Sequence, residues 1–138
     1  MTRDDSQRVV VTGLGCVTPL GWDVEDVWSK LLAGTSALTP IQHFDASHFP
    51  TTFAAQVLDY DLTQFAYHPE YHEHAGANSA FALGAAAQAW KMAGLENDPQ
   101  LDRSRIGIYL GSGEGSLDFD NYVASNITAW DAEEKAID

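Results

Sequence analysis

The chain has 138 residues, with 20 acidic side chains against 7 basic ones and a formal charge of −13. A surface of this sign repels phosphate backbones and anionic lipid headgroups, and the few Lys and Arg form no patch, so nucleic acid and a polybasic membrane contact are excluded as partners. Apolar residues at 45% are enough for a core, since a chain of this length buries roughly two-thirds of the surface it exposes when unfolded.

Residues 1–7 form a polar tail, expected to be disordered, with no apolar stretch of signal-peptide length behind it. Cys16 is the one cysteine and cannot form an internal disulfide, so the sequence reads as cytoplasmic. The β-branched run Val9, Val10, Val11 and Thr12 predicts a strand over 8–12 in a sheet covered on both faces, with Gly13 and Gly15 permitting the turn that follows. Asp23 is placed to cap a helix carrying Val24, Val27, Trp28, Leu31 and Leu32 on one face, and Gly34 sits where a helix-closing glycine belongs.

From 35 to 51 the punctuation by Pro40, Asp45, Ser47 and Pro50 predicts a loop anchored by Phe44 and Phe49, and 52–57 follows as a second strand. Asp61 can cap one helical turn through Phe65, and Pro69 suits the first position of a long helix that reaches Ala93 and closes at Gly94. The uncharged run 75–90 within it is mostly Ala and Gly, with Asn78, Ser79 and Gln88 inside. It is too short and too weakly apolar to span a bilayer and reads as a buried helix that lets neighbouring backbones approach closely. A third strand is predicted over 106–110, ending in the glycine-rich stretch 111–116, and Asp131 with Glu134 three residues on predicts the first turns of a helix over 131–138. Strands alternating with helices indicate an α/β fold, and three clear strands leave its sheet unfinished.

The block from Arg8 to Gly21, the Trp28-bearing helix, the run Leu32, Ala33, Gly34, Thr35, Ser36, the triplet His43, Phe44, Asp45 and the glycines at 111, 113 and 115 closely resemble the amino-terminal third of a type II β-ketoacyl-acyl-carrier-protein synthase. The resemblance implies a thiolase-like fold layered α-β-α-β-α, incomplete in this chain, with residues 8–138 as the amino-terminal part of the domain. It also implies a homodimer in the intact parent and decarboxylative Claisen condensation of an acyl thioester with malonyl-acyl carrier protein in fatty-acid or polyketide synthesis. In such enzymes the nucleophilic Cys at a strand-to-helix elbow and two His come later than this chain reaches. The chain by itself is therefore expected to hold no catalytic residue and no condensing activity. The alternative is a non-catalytic, chain-length-factor-type partner subunit that keeps the fold and replaces the nucleophile.

Several residues invite other readings. Cys16, flanked by Leu14 and Val17, is a small apolar packing residue before it is a nucleophile. Gly13 and Gly15 after a strand suggest a dinucleotide fingerprint, but the third glycine would fall at Thr18, with Pro19 next. His68, His72 and His74 with Glu70 and Glu73 cluster near the long helix, yet the second His of a zinc-protease pattern would fall at Gly76, so a solvated helix end is expected. Neither a metal nor a nucleotide cofactor is expected, His43 and His48 read as loop residues, and Trp22, Trp28 and Trp90 as packing. Glu114 matches the position where the resembled enzymes carry an apolar side chain lining and gating the acyl pocket. A carboxylate there is costly to desolvate beside an alkyl chain, which predicts a preference for short or polar acyl groups. No Lys or Arg lies between Lys30 and Lys91, whereas the resembled enzymes are basic at the start of the long helix, where acidic carrier protein docks; the acidic and His-rich stretch 67–74 argues against that docking mode.

Overall fold

The computed structural model describes residues 8–73, 75–111, 123, 126–131, 133 and 136–137. Its first helix, α1 (Val24–Leu32), starts where the sequence places it: the Asp23 carboxylate accepts the Asp26 backbone N–H at 3.0 Å, and Glu25 and Asp26 lie at the positive end of the helix dipole. At the other end Gly34 takes a left-handed conformation with φ 67°, and its N–H donates to the Leu31 carbonyl. Lys30 ties α1 to the preceding turn through Asp26 and the Leu20 carbonyl, both at 2.6 Å.

The stretch expected to be a loop contains a strand, β1 (Leu38–Pro40), which pairs antiparallel with β2 (Phe53–Ala55), so that Leu38 faces Ala55 and Pro40 faces Phe53. Gln56 closes this pair: its side-chain oxygen accepts the Gln42 N–H at 2.9 Å and its nitrogen donates to the Pro40 carbonyl at 3.1 Å. Pro40 has no N–H for a ladder, and an amide side chain supplies bonds past the point where it stands. Asp61 caps a single 3₁₀ turn over Leu62–Gln64, as the sequence predicts.

The long helix is shorter than predicted. Pro69 opens a separate 3₁₀ turn, Pro69–His72, and the continuous helix α2 runs over Ala77–Met92 from an N-cap at Gly76. Neither His68 nor Gly76 gives a capping side chain, so the proline turn and the helix remain separate elements. The carboxyl end agrees with the reading, with Gly94 at φ 71°.

Two expected strands, 8–12 and 106–110, are not strands in this structure. A strand needs a hydrogen-bonded neighbour, and propensity in the residues themselves cannot supply one. Both stretches are exposed, Val9 at 99% and Ile108 at 86%. The helix expected over 131–138 is also corrected: Trp130–Asp131 (β3) pairs antiparallel with Ala136–Ile137 (β4), Trp130 opposite Ile137. Asp131 accepts the N–H of Glu133, two residues on, a side-chain turn that here leads into strand pairing and not into a helix. Among the described residues the strands thus form two antiparallel pairs, beside the helices of an α/β chain. No helix among them is long and apolar enough to cross a membrane.

What organises the chain is the packing of 13–16 on α2. A Cβ on Gly13 would overlap the Ala89 carbonyl oxygen and lie 2.9 Å from its carbon, and one on Gly15 would overlap the carbonyl oxygen of Ala85. Neither glycine has a positive φ, so the expected turn is not their reason; close approach of two backbones is. We expect Gly13→Ala to destabilise the intact protein by about 1–3 kcal/mol through overpacking against a helix backbone that cannot yield. Gly107→Ala, where an added Cβ meets nothing within 4 Å, is the control and is expected to shift stability by less than about 0.5 kcal/mol. Urea denaturation of both variants checks this, and equal midpoints would contradict it.

Candidate functional site

A side-chain clamp on the backbone sits where 13–16 crosses α2. The Gln88 side chain donates to the Cys16 carbonyl at 3.1 Å and accepts the Cys16 N–H at 3.4 Å. A helix interior spends its own N–H groups internally and has no free backbone donor to offer a crossing chain. An amide side chain, with one face that donates and accepts like a peptide, replaces the missing strand neighbour. Gln88 is the residue that sequence reasoning passed over, although an amide inside an Ala and Gly run was the visible signal.

Cys16 is half-buried, and its thiol pKa is raised, first by burial and then by the negative charge of Asp23. A nucleophilic cysteine needs the opposite shift. Burial and the neighbouring carboxylate thus disfavour the Cys16 thiolate.

Tyr60 is the second organising side chain. Its ring meets Trp22 and Phe81 edge-on, each at 5.2 Å, and stacks on Phe65 at 5.8 Å, while its hydroxyl donates to the Ala80 carbonyl at 3.3 Å. Gly84 makes room for it, because a Cβ there would overlap the Tyr60 hydroxyl. One aromatic ring thereby joins the turn before α1, the Leu62–Gln64 turn and the middle of α2. Burial and the neighbouring Asp61 raise its phenol pKa, which keeps the donor proton in place.

Among the described residues, His68 and His72 form no cluster with a third ligand. His68 bonds Glu70 through Nδ1 at 3.0 Å and stacks on Tyr71 at 5.1 Å, with both side chains of the pair exposed. Glu70 is held below the usual carboxylate range by its own backbone N–H, then by the hydrogen bond from His68, with the charges of His68 and His72 adding to it. Among the described residues no group of three His, Cys, Asp or Glu is placed to hold a metal; His74 lies outside them. Glu114 and the glycine-rich stretch beyond Gly111 also lie outside the described residues.

Two concavities flank these elements. One, of about 400 Å³, lies between the Thr18–Gly21 turn, Lys30 and the Thr39 and Gln56 side chains. The larger, of about 1290 Å³, runs along α2 with Trp22, Phe65, Leu83 and Trp90 in its walls and Asp23, Glu25, Asp26 and Glu96 among its polar groups. Arg103 lies 5.8 Å over the Trp90 ring at its far end.

The model of the β-ketoacyl synthase amino-terminal domain matches residues 6–136, and the chain belongs to that family. The 3-oxoacyl-[acyl-carrier-protein] synthase 2 of Coxiella burnetii is 42% identical over 113 residues, which cover 82% of this chain and 27% of that protein. The Granaticin polyketide putative β-ketoacyl synthase 2 of Streptomyces violaceoruber is 30% identical, covering 86% of this chain and 28% of its own length. Among solved structures, the ishigamide ketosynthase/chain length factor superposes with a TM-score of 0.67 at 27% identity, over 92% of this chain and 31% of that one. The α/β architecture is thus that of a ketosynthase, and the chain spans about a quarter of the length of the curated relatives it matches.

Two outcomes follow from the geometry. Gln88→Leu leaves both Cys16 backbone groups without their side-chain partner and is expected to cost about 1–3 kcal/mol, read as a lowered urea midpoint of the intact protein. Asp61 accepts from the Thr63 hydroxyl and N–H at 2.6 and 2.9 Å, and these bonds lower its pKa. Its support of the Leu62–Gln64 turn is present above the unfolded carboxylate range and is lost as pH falls through the lower folded value. The Thr63 amide resonance should then titrate with a midpoint below that of an unstructured aspartate, and a midpoint at or above it would refute the assignment.

Proposed function

We propose that this chain is the amino-terminal part, residues 8–138, of a cytoplasmic β-ketoacyl-acyl-carrier-protein synthase of fatty-acid or polyketide assembly. The observation that carries the reading is the family match running unbroken from residue 6 to 136, through the glycine block that packs on α2. In the proposed reaction an acyl group passes from carrier protein to a cysteine thiolate. Malonyl-carrier protein then loses carbon dioxide, and the carbanion left behind attacks the thioester carbonyl, expelling the thiolate and giving a β-ketoacyl product. The nucleophile and its two His belong, in this reading, to the part of the relatives that this chain does not span. The neutral, half-buried Cys16 supports that division, and the contribution of the chain is to hold one side of a thiolase-like, homodimeric fold.

A second reading is a chain-length-factor-type partner subunit without a nucleophile; the 0.67 superposition on a ketosynthase/chain length factor supports it as much as the first. Docking of carrier protein also differs from a purely basic mode. Tyr67 and Tyr71 are exposed beside the His68 and Glu70 pair in a stretch without Lys or Arg, which argues against docking of an acidic carrier protein here. At Glu114 we place the acyl-pocket position, with a carboxylate that disfavours long alkyl chains.

The product of the full reading frame that carries this chain, mixed with acyl- and malonyl-carrier protein, is expected to release carbon dioxide in step with β-ketoacyl formation, whereas the 138-residue chain alone forms none. Binding of acyl-carrier protein with no condensation would instead establish the partner-subunit reading. In the same protein Glu114→Ile is expected to raise kcat/KM for long acyl chains relative to short ones, and an unchanged ratio would remove Glu114 from the pocket.

A further inference from the structure

We draw no further inference here: the strongest candidate, the apolar groove of about 1290 Å³ along α2 between Trp22, Phe65, Leu83 and Trp90, carries nothing, because nothing in the structure shows what covers it.

Discussion

The rest of the structure depends on a contact between two backbones. The 13–16 segment lies so close to α2 at Ala85 and Ala89 that any side chain at Gly13 or Gly15 would occupy the space of a helix carbonyl. Such an approach gains dispersion over a short length, but it takes part of both backbones out of water. The helix survives this because its own hydrogen bonds are internal; the crossing segment survives because Gln88 meets both backbone groups of Cys16. Small residues on both sides and one amide between them are therefore a single solution, and changing any member leaves a clash or an unmet polar group.

The same logic extends along the helix. Gly84 is one turn from Ala80, and between them they receive Tyr60, whose hydroxyl donates to the Ala80 carbonyl and needs the bare Cα of Gly84. The Ala and Gly character of α2 is thus resolved into separate tasks: Ala85 and Ala89 admit the opening segment, and Gly84 admits an aromatic ring. Trp90, larger than its neighbours, is left at the rim, where Arg103 lies over its face. A helix of this composition has no strong apolar stripe of its own, and its place is set by what its neighbours insert into it.

The legible parts of the sequence were those decided within a few residues. Asp23 and Gly34 bound α1, Asp61 opens the turn before α2, and Gly94 closes α2, all by bonds or conformations local to the terminus. What required a second segment was misread or invisible. The β-branched stretches at 8–12 and 106–110 carry strand propensity without a ladder, β1 lies inside what reads as a loop, and Asp131 reads equally as a helix cap or the start of a hairpin turn until the pairing of Trp130 with Ile137 is known. The glycines at 13 and 15 were seen, but their reason was not: a turn and a close approach demand the same residue, and only the position of Ala89 and Ala85 separates them. Family membership was legible for a related reason, since spaced glycines and capping residues are local marks of a packing scheme.

The exposed apolar residues complete the physical picture. Val9, Val10, Val11, Ile106, Ile108 and Leu110 have the composition of covered strands, and each large aliphatic side chain left in water forgoes about 1.5–3 kcal/mol. Against that loss the described residues bury few apolar side chains, Val27 and Ala46 among them. The close contact at α2, by contrast, is already in place, with its polar groups met. Local packing and global cover are therefore separable in this family member: the backbone contact with its Gln88 clamp fixes where the opening segment and the helix lie, and burial of the two β-branched stretches is a distinct term that these residues do not supply to one another.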